Sequence, residues 1–231
     1  METEDRYERN LGVFTAAELR LVRRSRVCVV GCGGLGGYVC NSLARFGVGS
    51  LTLLDGDSFS EGNLNRQLFA TAQTLGENKA IAAKRTLADI NEEISVAAYP
   101  VMLTRENAAG LLADCDLAMD CLDSVPARRL LADACSQSGI PLVHGAVSGL
   151  YGQVACLYPQ DRLFDWLYPE FVRKRVSLGN PVFAPQLVAA IQSCEAVKIL
   201  SGQGTALRGT VLYIDLKDCR FETVHLCKDR A

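Results

Sequence analysis

Val27-Cys28-Val29-Val30, followed by Gly31-Cys32-Gly33-Gly34-Leu35-Gly36, decides how this chain folds. The first four residues are an apolar run of strand character. The next six are a glycine-rich turn, and Leu35 to Phe46 reads as a helix. Strand, glycine turn and helix in that order form the first turn of a βαβ nucleotide site. Glycine serves there because the chain turns tightly and its backbone approaches a phosphate with no Cβ in the way. The N–H groups at the helix start, with the positive end of its dipole, then face the anion. A glycine pattern alone says little, because many strand-to-helix turns carry one. Here a second apolar run, Leu51-Thr52-Leu53-Leu54, ends in Asp55. That is about the 20-residue distance at which such sites hold a ribose hydroxyl. Gly31, Gly33, Gly34, Leu35, Gly36 and Asp55 are therefore expected to bind a nucleotide.

Working outward, strands and helices alternate. Thr15 is placed to cap a short helix, with Glu18 at the capping-box position. Strands are expected over 26–30, 50–55, 94–99, 116–120 and 141–146. Helices are expected over 35–46, 77–91, 105–113 and 125–138, with an irregular stretch over 56–76. This pattern predicts an α/β, Rossmann-like fold with a doubly wound, mostly parallel sheet. The second part reads differently. Gly152 to Tyr158 is a strand without a crossover helix, 159–182 is a long loop, and 184–201 is a helix ended by Ser201-Gly202. Strands over 210–215 and 219–226 are joined at Lys217-Asp218, which continues the sheet with antiparallel C-terminal strands.

Composition narrows the class. The chain has 231 residues, 49% hydrophobic, with a formal net charge of −2. Its densest basic run is Arg173-Lys174-Arg175, read as a solvated stretch that is also able to meet an acidic partner. Nucleic-acid binding is not expected. The ten cysteines include no Cys-x-x-Cys pair. Several sit in apolar runs, so they read as buried reduced thiols of a cytoplasmic protein. No signal peptide is read at the acidic start, and Val27 to Ala44 is uncharged but too glycine-rich for a membrane span.

Charge placement beyond Asp55 departs from a dehydrogenase. Asp55-Gly56-Asp57 puts two carboxylates at a strand end, followed by Asn63-Leu64-Asn65-Arg66-Gln67 and Gly76-Glu77-Asn78-Lys79. A nicotinamide enzyme needs no cationic pair here, whereas a nucleoside triphosphate does. Arg66 can fork onto phosphate oxygens, and Lys79 supplies a point charge. Asp120-Cys121-Leu122-Asp123 ends the fourth strand. A carboxylate at that edge, beside phosphates, suits a hard cation such as Mg²⁺.

Taken together these pieces resemble the ThiF/MoeB/HesA family, bacterial relatives of ubiquitin-activating enzymes. The resemblance rests on Arg6-Tyr7-Glu8-Arg9, Gly31 to Gly36, Leu54-Asp55-Gly56-Asp57, Asn63 to Gln67, Gly76 to Lys79, Asp120 to Asp123, and Pro141-Leu142-Val143-His144-Gly145-Ala146. Glu195-Ala196-Val197-Lys198 resembles the family's late helix. The match runs in order over nearly the whole chain. It implies one adenylation domain over 1–231, with a helical extension over 1–25 and a crossover loop over 159–182. It implies ATP and Mg²⁺ as cofactors. The implied reaction is adenylation of the C-terminal glycine of a ubiquitin-like sulfur carrier ending in Gly-Gly. Asp55 would bind ribose, Arg66 and Lys79 phosphates, and Asp123 Mg²⁺, with Asp57, Asn63 and Gln67 also lining the site. Arg9 would reach the partner subunit's site as an arginine finger, which implies a homodimer. Arg9, Arg66, Lys79 and Asp123 form the expected catalytic set. A thiamine-pathway carrier is expected first and a molybdopterin-type carrier next.

The chain departs from many such relatives in two ways. It lacks the two Cys-x-x-Cys pairs of their structural zinc, so no zinc site of that kind is expected. Asp165-Trp166-Leu167-Tyr168 stands in that part of the loop, and Phe164, Trp166 and Tyr168 are expected to anchor it. Residues 159–182 contain no cysteine, so a reaction that stops at the acyl-adenylate is expected. Plainer readings stand beside these roles. Asp57 serves as a loop cap, Lys79 as a solvated lysine, Arg9 as a surface charge, and Asp123 as a cap for Ser124-Val125-Pro126. His144 reads as a satisfied core residue, Cys194 as a buried thiol, and Cys32 as a space-filler. Rival functions are a dehydratase acting on threonylcarbamoyl-modified transfer RNA, an NAD-dependent oxidoreductase, and a non-catalytic carrier-binding scaffold. Gly149-Leu150-Tyr151-Gly152-Gln153 and the lack of a basic surface favour the carrier enzyme over the dehydratase.

Overall fold

The computed structural model describes residues 5–159, 161, 163–169, 178–205 and 207–225. A 3₁₀ turn over Asp5–Asn10 leads into α1 (Ala16–Arg24), whose start carries the reciprocal Thr15–Glu18 capping box. Then come β1 (Arg26–Val30), α2 (Gly36–Phe46) and β2 (Ser50–Leu54). A 3₁₀ turn over Glu61–Asn63 precedes α3 (Lys79–Ile90), β3 (Ser95–Tyr99), α4 (Arg105–Leu112) and β4 (Leu117–Asp120). The chain continues with α5 (Val125–Ser138), β5 (Leu142–Ser148), β6 (Tyr151–Leu157) and α6 (Leu163–Leu167). It finishes with α7 (Phe183–Ser201), β7 (Thr210–Asp215) and β8 (Arg220–His225).

The eight strands lie in the order β3-β2-β1-β4-β5-β6-β7-β8. The first five are parallel, and β5 through β8 pair antiparallel, as the sequence pattern implied. Val27 to Val30 are fully buried because helices cover both faces of β1. On one face Val27, Val29, Leu51 and Leu53 pack with Val39 and Leu43 of α2, Leu87 of α3 and Val188 of α7. On the other, Cys28, Val30 and Leu54 pack with Leu112 of α4, Leu131 of α5 and Phe164 of α6. Strand order reverses between β1 and β4. In an open parallel sheet, that reversal opens a crevice at the carboxyl ends of the strands.

Several expectations are refined. The third helix, expected over 77–91 with its opening near Lys79, starts at Lys79 because Asn78 caps it, accepting from Ala80 N and Ile81 N. The expected loop 159–182 contains α6. Phe164 and Tyr168 are buried as expected of anchors, but Trp166 is 65% exposed. Cys194 is exposed rather than buried, since it sits on the outer side of α7, whereas seven other free cysteines, Cys32 among them, are buried. Arg173, Lys174, Arg175 and Cys227 lie outside the described residues. No described helix is long and apolar enough to cross a membrane.

Candidate active site

The glycine turn folds back on itself. Gly31 has φ +94°, and a Cβ there would stand 2.6 Å from the Cys121 carbonyl oxygen. A Cβ on Gly36 would stand 1.7 Å from the Gly31 carbonyl oxygen. Both positions therefore require glycine, and they bring the start of α2 against the end of β4. A Cβ on Gly33 or Gly34 would meet only ordinary contacts, with Gln67 at 3.4 Å and Pro185 at 3.6 Å, and both residues line a cavity.

Asp55 closes the turn from the β2 side. Its Oδ2 accepts from Cys32 N at 2.7 Å and its Oδ1 from Asp57 N at 2.9 Å. Burial raises its pKa above the ordinary 3.8, while those N–H groups and nearby Lys79 favour the ionised form. A carboxylate has about four acceptor positions, so two remain for hydroxyl donors.

Lys79 is held at its backbone and at its ammonium, on a strand end that Asn78 braces. Its N–H donates to Asp57 O, and the Asn78 amide donates to the carbonyls of Asp55 and Asp57. Lys79 Nζ lies 3.0 Å from Asp57 Oδ2, with the residue 8% exposed. Lys79 is thus not a solvated lysine, and the Asp57 carboxylate holds it rather than capping a loop.

Arg66 Nη1 donates to Gly62 O and Asn65 Oδ1, both at 2.8 Å. The buried Gln67 amide packs beneath Gly33, and its Oε1 has no hydrogen-bond partner among the described residues. Asn63 builds the turn beneath them. Its Oδ1 accepts from Ser60 N, and its carbonyl accepts from Arg66 N and Gln67 N.

At the end of β4, Ser124 is the residue that caps α5, its hydroxyl accepting from Ala127 N. Asp123 does not cap the helix, and its exposed carboxylate stands on a cavity wall.

One cavity of about 610 Å³ is lined by Gly31, Gly33, Gly34, Leu35, Asp55, Asp57, Arg66, Gln67, Lys79 and Asp123. Gly36 lies behind it as a packing requirement, and Asn63 is not on its wall. Arg9 is exposed and stands outside the cavity of its own chain. Sequence reasoning missed Met102, Arg128, Ser148 and Asn180, which also line it. Arg128 carried a signal: it stands in the first turn of α5, just after Asp123, and shares the buried side of that helix with Leu131 and Cys135.

Mg²⁺ fits these residues. It takes one or two carboxylates and completes its shell with phosphate and water, so Asp123 beside a phosphate cavity is a suitable donor. Among the described residues no group of three or more metal-ligating side chains forms a self-sufficient cage.

Similarity to known proteins agrees with this geometry. The chain is 36% identical over 228 residues to the SAMP-activating enzyme E1 of Haloferax volcanii, covering 95% of this chain and 84% of that protein. It is 35% identical over 215 residues to the molybdopterin-synthase adenylyltransferase of Escherichia coli, covering 90% and 86%. It is also 35% identical over 239 residues to a sulfur carrier protein adenylyltransferase of Thermus thermophilus, covering 95% and 86%. The fold is shared with E. coli MccB crystallised with ATP, at a TM-score of 0.82 and 18% identity, over 99% of this chain and 72% of that one. Residues 7–231 match the ThiF family, and the chain belongs to it.

Proposed function

We propose that this adenylyltransferase activates the C-terminal glycine of a ubiquitin-like sulfur carrier ending in Gly-Gly, using ATP and releasing pyrophosphate. The observation that carries the reading is the single cavity holding Asp55, Asp57, Arg66, Lys79 and Asp123 at the carboxyl ends of the sheet. The sulfur-carrier and SAMP relatives support the choice of substrate class. In this reading residues 1–231 are one adenylation domain, 1–25 its helical extension and 159–182 its crossover. The protein works in the cytoplasm as a homodimer in which Arg9 serves the partner's site.

Asp55 holds the ribose hydroxyls, and the N–H groups at the start of α2 receive a phosphate. Lys79 and Arg66 flank the phosphates from the other side. The glycine carboxylate is a poor nucleophile, so rate comes from positioning and charge stabilisation rather than from a base. One carboxylate oxygen bonds to the α-phosphorus, the bond to the bridging oxygen breaks, and pyrophosphate leaves with that electron pair. Mg²⁺ on Asp123, when bound, neutralises charge on the phosphate oxygens. Lys79 enters this step pre-oriented by Asp57 and Asn78, so little entropy is lost in placing it. Cys121 is the one thiol among the described cavity residues, and burial pushes its pKa well up. With no cysteine in 159–182, the product leaves as the acyl-adenylate for a nucleophile on another molecule.

ATP–pyrophosphate exchange tests this, with thiamine-type and molybdopterin-type carriers supplied in turn. Exchange that requires one carrier is the expected result. ATP binding without exchange under either carrier, together with turnover of threonylcarbamoyl-modified transfer RNA, contradicts it.

A further inference from the structure

Behind the cavity lies a closed ring of buried polar groups. Asp120, His144 and Tyr168 have no exposure, and Arg128 has 4%. His144 Nδ1 lies 2.6 Å from Asp120 Oδ2. With its proton on Nδ1, Nε2 is an acceptor, and it meets the Tyr168 hydroxyl at 3.2 Å and the Gln153 amide nitrogen at 3.0 Å. The Tyr168 hydroxyl accepts from Arg128 Nη1 at 2.7 Å and from Gln153 Nε2 at 2.8 Å. Arg128 closes the ring by forking Nε and Nη2 onto the Leu122 carbonyl, at 3.1 and 2.6 Å. Asp120 Oδ1 accepts from Leu122 N at 3.0 Å.

Two features give this ring a direction. Both backbone groups of Leu122, the residue before Asp123, are held by its members. Its outer end, Tyr168, follows α6 and is wedged against Phe164 and His144, at ring-centroid distances of 5.0 and 5.6 Å. The α6 segment and the backbone beneath Asp123 are therefore joined by hydrogen bonds of fixed geometry.

We propose that Tyr168, His144 and Arg128 are positioning residues for Asp123, setting its carboxylate according to where the α6 segment lies. The proposal rests on the adenylation reading, in which Asp123 faces the phosphates. Removing the Tyr168 hydroxyl leaves a buried Arg128 donor unpaired. The guanidinium then turns to find another acceptor, and its grip on Leu122 loosens. Outer partners of this kind are typically worth about 10–100-fold in metal affinity or activity.

The test uses Tyr168→Phe, which keeps the ring and its aromatic contacts, in the full chain. His144→Asn is the second variant, because its amide replaces Nδ1 on Asp120 but does not reach Tyr168. The first readout is exchange kinetics. A fall in kcat of about 10–100-fold is expected in both variants, with a raised half-saturating Mg²⁺ concentration and an unchanged KM for ATP. The second is fluorescence of Trp166, the chain's one tryptophan, which sits exposed on α6. Mg²⁺–ATP is expected to change its emission in the wild type and not in the variants, although calorimetry still detects ATP binding. Variants that keep the wild-type Mg²⁺ dependence and the Trp166 response overturn the proposal. A wild type silent in exchange with every carrier overturns the adenylation reading instead, and the fluorescence readout still decides whether α6 is coupled to the Asp123 loop.

Discussion

Asp123 and Lys79 look alike in sequence, as charges beside a turn, and the structure separates them. Lys79 is buried and held by Asp57, whereas Asp123 stands exposed on the cavity wall and leaves the capping of α5 to Ser124. Asp123→Ala is therefore expected to cost at least about a hundredfold in exchange while leaving thermal stability unchanged. Wild-type turnover in that variant would sink the metal assignment. Gly36 predicts the opposite profile. A Cβ in contact with the Gly31 carbonyl cannot be relieved by a rotamer change, so Gly36→Ala is expected to cost about 3 kcal/mol or more. That lowers Tm by roughly 6–12 °C in a chain of this size. Asp55 predicts a pH effect. Its raised pKa means that acidification protonates it before an ordinary aspartate, removing acceptor capacity for ribose. ATP affinity should therefore fall as pH drops through an inflection above 3.8, and Asp55→Asn should bind weakly with that inflection gone. Calorimetry across pH checks both curves. Most of these residues were legible in sequence because their chemistry is local to a motif. Arg128 and His144 were not read as a unit, because their ring is closed by Tyr168 from 40 and 24 residues away.

At the scale of elements, the parallel half was read well because strand and helix each announce themselves by period and caps. Boundaries moved by one or two residues where a cap side chain set the limit, as Asn78 does for α3. The N-terminal 3₁₀ turn was expected only as part of a helical extension over 1–25, and α6 was missed, because both are short and hold their places through tertiary contacts. Tyr7 is the contact for the first. It is 3% exposed, its ring covers Gly47, and its hydroxyl accepts from Asn91 Nδ2 at 2.9 Å. Arg9 is displayed on the same 3₁₀ turn. Tyr7→Ala should cost about 3–5 kcal/mol and also weaken exchange by releasing that turn. Arg9→Ala should weaken exchange with no change in Tm. Parallel melting and kinetic measurements on the two variants distinguish an anchor from a displayed group.

At the scale of the whole molecule, the sheet order explains why five charges far apart in sequence share one cavity. The reversal between β1 and β4 brings the ends of β1, β2 and β4 to one crevice, and the antiparallel strands extend the sheet to one side. A homodimer with Arg9 acting across the interface predicts complementation. Arg9→Ala and Asp123→Ala proteins, each impaired alone, should regain part of the lost exchange activity when mixed, because a heterodimer contains one complete site. No recovery after demonstrated subunit exchange contradicts action in trans. The central claim is adenylation of a carrier's terminal glycine. Intact-mass spectrometry of a Gly-Gly-ended carrier incubated with the protein, Mg²⁺ and ATP tests it most directly. The carrier should gain the mass of one AMP residue, and a carrier lacking its last glycine should not. A carrier that stays unmodified while the protein consumes ATP would contradict the claim.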